Sequence, residues 1–277
     1  MPKAKRSSKK NLSSAAPAIH KIQKYGWVPD LPDQRDFMYA APTPFQKNIP
    51  PSVDLSGKCP PVYNQGQLGS CTANAIAAAI EFDQKKRFVP SRLFIYYNER
   101  VIEGTVASDS GAQIRDGIKS VATQGAPPEK VWPYDIAKFS VAPPPIAYTD
   151  AKADMVTLYQ RLIQDLNTMR GCLASGYPFV FGFTVYSSFE SAAVAKSGLV
   201  PMPASGEQSV GGHAVMAVGY NDTSRLFLVR NSWGSDWGLK GYFKIPYAYL
   251  TETNLASDFW TIRGLVQSGT AAKKKTK

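Results

Sequence analysis

Few side chains in the 277 residues are suited to nucleophilic chemistry: three cysteines and two histidines. Cys71 stands in Asn64-Gln-Gly-Gln-Leu-Gly-Ser-Cys-Thr-Ala-Asn-Ala75, where Gly66 and Gly69 allow a tight backbone approach and an apolar run begins. A thiol at a helix N-terminus feels the positive end of the dipole, which favours the thiolate. An isolated cysteine in such a run is ordinarily an inert core residue, so its partners decide its role. A cysteine nucleophile needs a base. His20 lies in a basic N-terminal stretch, whereas His213 opens an apolar segment, Gly211-Gly212-His213-Ala214-Val215. The base is therefore His213 unless the N-terminal arm reaches in. A catalytic imidazole also needs a third group to fix its tautomer. Asn231, 18 residues further on in Val229-Arg230-Asn231-Ser232-Trp233-Gly234, offers a carboxamide oxygen, and Trp233 can cover that bond from water. Gln65, six residues before Cys71, carries an amide that can join the Cys71 backbone N–H in holding an oxyanion. Asn-Ser-Trp-Gly alone would read as an ordinary turn after a strand; its distance from His213 gives it meaning.

These groups need elements to position them. Apolar residues from Ser70 to Arg87 predict a buried helix, apolar nearly all round in its first half. Pro90-Ser91 caps a second helix, Arg92–Glu103, and a third runs from Ser110 to Gln124, closed by Gly125. Ala142-Pro-Pro-Pro145 marks a loop or lobe boundary, and Asp154–Arg170 reads as an amphipathic helix ended by Gly171. Strand patterns rich in Val, Phe, Tyr and Ile follow at Phe179–Tyr186, His213–Tyr220, Arg225–Asn231, Gly241–Ile245 and Phe259–Arg263. Helices first and strands second predict two lobes of an α+β protein.

The three blocks together resemble the papain-like cysteine proteases: Gln65-Gly-x-x-Gly-Ser-Cys71, Gly212-His213-Ala-Val, and Asn231-Ser-Trp-Gly-Ser-Asp-Trp-Gly-Leu-Lys-Gly-Tyr242. That family places its His and Asn about 130–150 residues after the Cys. His213 follows Cys71 by 142 residues and Asn231 by 160, slightly beyond that range. The resemblance spans roughly Ser52 to Arg263. It implies a papain-like two-lobe fold, with a helical left lobe (about 65–150), an antiparallel β-barrel-like right lobe (about 171–263) and the active site in the cleft between them. It implies a cysteine endopeptidase with Cys71 as nucleophile, His213 as base and acid, Asn231 orienting and Gln65 in the oxyanion hole. Ser110-Gly111 resembles the pair that binds substrate backbone; Gly212 and Trp233 complete the expected substrate-binding set, and Trp132-Pro-Tyr134 resembles a tripeptide of the same region. Four positions depart from the family pattern: Leu68 replaces a disulfide cysteine, Thr72 an aromatic residue, Gly212 an Asp and Ser110 a glycine. The Cys71 string and the arm Tyr-Gly-Trp-Val-Pro-Asp-Leu-Pro-Asp-Gln-Arg-Asp resemble the xylellain-type microbial branch, in which a short arm replaces the long helical propeptide.

Composition sets the remaining limits. With 44% hydrophobic and 19% charged residues the chain is globular, and three cysteines exclude a disulfide scaffold. Cys59 and Cys172 are expected as free, buried thiols. No apolar run is long enough for a membrane span and no Sec signal is recognisable, so localisation stays open. The net charge is +11, but residues 1–10 and 273–277 carry nine of those charges. Residues 1–19 and 266–277 read as solvated basic tails, with polyanion contact as the sharper reading. Residues 20–50 hold Tyr25, Trp27, Leu31, Phe37 and Met38, too much apolar bulk for a linker, and are expected to lie on the peptidase domain (51–265), either behind the lobes or over the cleft. The expected partners are peptide or protein substrates of a monomer, with no cofactor and no metal. A silent papain-like module tethered by its tails is the alternative from another class, and peptide ligation a third.

Overall fold

The structure is a computed structural model that describes residues 25–84 and 88–265; His20 and both basic tails lie outside the described residues. In chain order the elements are α1 (Thr43–Lys47), β1 (Ser52–Asp54), α2 (Cys71–Asp83), α3 (Arg92–Glu103), α4 (Ile114–Thr123), α5 (Pro145–Ala151), β2 (Val156–Arg161), α6 (Leu166–Ala174), β3 (Phe179–Tyr186), α7 (Ala192–Ser197), β4 (Ser209–Asn221), β5 (Leu226–Arg230), β6 (Tyr242–Pro246), α8 (Tyr247–Thr251) and β7 (Ala256–Leu265). The strands form one antiparallel sheet in the order β2-β7-β3-β4-β5-β6, with β1 added to β4. This is the papain-like α+β arrangement that the sequence led us to expect.

α2 is the axis of the molecule. Every residue from Cys71 to Glu81 is buried, so the helix needs partners on all sides, and it finds them in α3, α4, β4 and β7. Its few polar side chains are satisfied: Asn74 donates to the Ser70 carbonyl at 2.9 Å and accepts from Arg92 at 3.1 Å, and Thr72 donates to Glu99 at 2.8 Å. As the sequence indicated, Ser91 caps α3, accepting the Phe94 N–H at 3.2 Å; Gly104 ends the helix in a left-handed conformation.

α2 stops at Asp83 rather than Arg87, α5 begins where only a loop was expected, and β4 and β7 run longer than expected; two larger departures bear on the site. Asp154–Arg170 is not one helix: Val156–Arg161 is strand β2 on β7, and a new helix, α6, starts after Asp165, whose carboxylate accepts the Asn167 and Thr168 N–H groups at 3.0 Å. The β-branched and aromatic run Val-Thr-Leu-Tyr wins a sheet edge, and the Asp cap overrides apparent helical periodicity. The third helix starts at Ile114 rather than Ser110, because Gly111 takes a φ of 75° and Ala112 bridges to Trp27. Among the described residues, which include all three cysteines, no disulfide forms; Cys172 is buried as expected, but Cys59 is only partly buried. No described helix is long and apolar enough to cross a membrane.

Candidate active site

Cys71 begins α2 and His213 lies within β4, so the central helix and the sheet meet at the two residues singled out for chemistry. Both are fully buried. His213 Nε2 lies 2.8 Å from Asn231 Oδ1, at the end of β5. The same oxygen accepts the Ser232 N–H at 2.8 Å, and the Asn231 backbone N–H donates to the Gly241 carbonyl, so both the side-chain oxygen and the main chain of Asn231 are held. An acceptor oxygen facing Nε2 requires a proton there, which leaves Nδ1 as the basic nitrogen of the neutral ring. Trp233 stacks on the imidazole with ring centroids 5.1 Å apart and 28° between planes, and Phe183 meets it edge-on. The ring is thus confined to one orientation.

Gln65 is fully buried in the loop before α2. Its side-chain Oε1 accepts the Ser232 hydroxyl at 2.6 Å, its Nε2 donates to the Leu68 carbonyl at 3.0 Å, and its backbone N–H donates to the Ser232 carbonyl. The Gln65 loop is therefore stitched to the segment that carries Asn231 and Trp233. Tyr134 adds a bond to the Gln65 carbonyl and a second to Ser70, which ties Trp132-Pro-Tyr134 to the same loop.

The N-terminal arm runs through this cleft. Trp27 N–H donates to the Gly212 carbonyl at 3.0 Å, Val28 N–H to the Ala112 carbonyl at 3.0 Å, and Ala112 N–H to the Gly26 carbonyl at 2.8 Å. Backbone and backbone lie so close that a Cβ on Gly26 would fall 1.7 Å from the Gly69 oxygen, and one on Gly111 would fall 2.2 Å from the Gly26 oxygen. Tyr25 turns its ring edge toward His213 at 6.0 Å and donates its hydroxyl to Glu190 at 2.7 Å. Downstream, Asp30 takes the Arg115 N–H and the Trp260 indole N–H, Asp36 pairs with Arg115 and Arg161, and Tyr39 is buried in the core.

This covering sets the electrostatics. Burial pushes the Cys71 thiol up to about 12, opposed by backbone hydrogen bonds from Ala214, Gly26 and Thr72, while the Glu99 charge reinforces it. The expected low thiol value does not apply to this closed form, since desolvation outweighs the helix dipole. Glu99, fully buried behind Thr72, is itself pushed well above the ordinary carboxylate range by burial. Asp30 is raised to about 6, first by burial and then by Asp258 beside it.

The structure brings Cys71, His213, Asn231, Gln65, Gly212 and Trp233 together. Gly111 borders the arm, its N–H bonded to the Tyr96 hydroxyl, whereas the Ser110 hydroxyl turns to Thr105 and to the Gly111 carbonyl. Ala112, not singled out from sequence, contributes both backbone groups to the arm; a small residue beside a glycine pattern gives no signal of its own. Asp258 was also missed, because its role depends on a residue 231 positions away. Among the described residues no three of His, Cys, Asp and Glu converge in a way that could hold a metal ion.

A central helix bearing a cysteine, a sheet bearing a histidine held by an asparagine, and a cleft between them define a papain-type cysteine peptidase. The chain belongs to the papain family of cysteine proteases, whose sequence profile matches residues 49–261. It is 46% identical to xylellain, a cysteine protease from Xylella fastidiosa, whose crystal structure superposes with a TM-score of 0.81 over 89% of this chain and 99% of that one. It is 43% identical over 274 residues to an uncharacterized peptidase C1-like protein, L477, of Acanthamoeba polyphaga mimivirus, covering 87% of each. Chymopapain from Carica papaya is 29% identical over 222 residues, 77% of this chain and 58% of chymopapain.

Proposed function

We propose that the chain hydrolyses peptide bonds through a Cys71 acyl-enzyme. The thiol proton passes to His213 Nδ1, Sγ attacks the scissile carbonyl carbon, and the oxyanion is met by the Cys71 N–H and the second Gln65 Nε2 N–H. The C–N bond breaks as the imidazolium returns its proton to the leaving amine. Water, deprotonated by the same imidazole, then cleaves the thioester. The observation that carries this reading is the buried 2.8 Å contact between His213 and Asn231, with the N–H of Ala214, the next residue of β4, hydrogen-bonded to the Cys71 sulfur.

The arm is, on the same reading, a tethered shield. Gly26 reaches the sulfur through its backbone N–H, so the arm presents an amide proton rather than a carbonyl carbon and is not a substrate in this pose. Its tether gives it a high effective concentration, and while docked it keeps the thiol protonated. Opening the cleft readmits water and restores the thiolate-favouring field of the helix N-terminus.

The test is labelling by a thiol-directed electrophile at mildly acid pH, where an ordinary thiol is slow. In a Trp27→Ala chain, whose loosened arm readmits water to the sulfur, Cys71 should be labelled selectively, and adding His213→Ala should return its rate to that of an ordinary thiol and abolish peptide turnover. Comparable turnover in that variant refutes His213 as the base.

A further inference from the structure

Beyond the cleft the arm is held by charge rather than by burial. Its apolar side chains there face water: Leu31 is 71% exposed and Phe37 69%. Its carboxylates instead face the body. Asp36 lies across two guanidiniums, accepting Arg115 Nε at 3.0 Å, Arg115 Nη2 at 2.6 Å and Arg161 Nη1 at 3.0 Å. Arg115 also gives its backbone N–H to Asp30 at 3.0 Å and its Nη1 to the Leu31 carbonyl, so every nitrogen of this residue serves the arm. Asp33 faces Lys119, 3.8 Å away.

The body presents these cations in a fixed arrangement. Arg115 stands in the first turn of α4, Arg161 ends β2, and the centre of the Trp260 ring lies 5.7 Å from each guanidinium carbon. The Arg115 side chain is only 4% exposed. Among the described residues Arg115 and Lys119 form ion pairs with the arm alone; Arg161 has one partner in the body, Asp258 at 3.2 Å. Asp116, also on α4, pairs with none of them. Lifting the arm therefore strips a nearly buried guanidinium of its counter-charge, an unfavourable state until another anion arrives. A carboxylate suits it, because the guanidinium fork meets two carboxylate oxygens at once.

The chemistry decides which half of a substrate reaches this patch. His213 returns its proton to the leaving amine, so the leaving half lies on the imidazole side, where Tyr25 stands. The acyl half lies on the other side, along Ala112 and past α4, the way the arm itself runs from Trp27 to Asp36. A substrate that takes both backbone groups of Ala112 displaces the arm there and carries its upstream residues toward Arg115.

We infer that Arg115, Arg161 and Lys119 form an exosite for acidic peptide segments, occupied in the closed chain by Asp33 and Asp36. This rests on the peptidase reading above and adds to it the class of substrate: peptides with carboxylates upstream of the bond that is cleaved.

The test uses fluorogenic peptide amides that end in the same Phe-Ala dipeptide and carry a run of Glu, of Gln or of Lys at least three residues upstream of it. They are turned over by the full chain and by Arg115→Gln, Arg161→Gln and Lys119→Gln. The readout is the ratio of kcat/KM for the Glu peptide over the Gln peptide within each protein, which cancels any change in arm docking. The full chain should favour Glu by about tenfold, through KM, as expected for one hydrogen bond between charged groups, with the Lys peptide slowest. Arg115→Gln should lose the preference and Arg161→Gln should weaken it. Lys119, 42% exposed, tolerates replacement even if the buried variants misfold, and Lys119→Gln should lower the ratio by about twofold. An equal or reversed ratio in the full chain, or an undiminished one in every variant that folds, overturns the exosite. Binding of the same peptides to Cys71→Ala needs no chemistry and should follow the same order; equal affinities for Glu and Gln overturn the exosite as well. No cleavage of any peptide, together with no labelling of Cys71 in the Trp27→Ala chain, overturns the peptidase reading instead, and the binding order then decides the exosite by itself.

Discussion

Replacing Trp27 by alanine isolates the shielding role of the arm. Removal of residues 1–40 would also remove Tyr39, which is 3% exposed in the core, and Asp36, which pairs with Arg115 and Arg161. Trp27→Ala leaves those anchors and the backbone bonds in place. Truncating a fully buried tryptophan costs about 3–5 kcal/mol. Trp27 is half-buried, so about 2 kcal/mol is the expected loss, its bond to Asp258 included. At 1.4 kcal/mol per tenfold, docking of this segment weakens by about 30-fold. Labelling of Cys71 through a minor open state should accelerate by up to that factor. For a small peptide, kcat/KM should rise through a lower KM with kcat unchanged, because the arm competes with substrate rather than altering the chemistry. An unchanged labelling rate in a variant with native circular dichroism would refute the shield, and a change confined to kcat would refute competition.

Three further outcomes follow from particular contacts. Asp30 is raised to about 6 in the docked arm, by burial and by Asp258, so docking takes up protons: its contribution is complete below the ordinary carboxylate value of about 4 and is lost as pH rises through about 6. The Cys71 labelling rate should therefore climb more steeply between pH 5 and 7 in the native chain than in Asp30→Asn; parallel profiles would contradict this. Asn231→Ala should lower kcat by about tenfold to hundredfold, the worth of one orienting hydrogen bond to a ring that becomes charged, and an unaltered kcat would show that stacking on Trp233 suffices. Alkylation of unfolded, unreduced protein should count three thiols, since Cys59, Cys71 and Cys172 form no disulfide; a count of one would reveal a Cys59–Cys172 bridge.

What was legible in the sequence was what local rules govern. The apolar run after Cys71 specifies a buried helix because no polar face interrupts it, and Ser91 announces α3 because a cap needs only a side-chain oxygen and an N–H three residues on. His213 and Asn231 were singled out because histidine is scarce and because one lies on β4 and the other directly after β5, at a spacing that lets the two strands pair. Asp154–Arg170 misled because strand β2 is selected by β7, about a hundred residues away, over a local periodicity that suits a helix. The arm's apolar bulk was visible, but its path was not: Gly26, Gly111, Gly182 and Gly212 matter through the side chains they lack, and only the assembled cleft shows what passes over them. The raised thiol value of Cys71 was hidden for the same reason, since it comes from burial under a distant segment.

The central claim is that Cys71 forms the covalent bond to substrate, and the most direct measurement is intact-protein mass spectrometry of the full chain quenched in acid during turnover of a peptide ester. The account predicts one acyl adduct per chain, mapped to Cys71, and neither adduct nor hydrolysis in Cys71→Ala. Undiminished hydrolysis by Cys71→Ala, or an adduct that maps to Cys59 or Cys172, would contradict it.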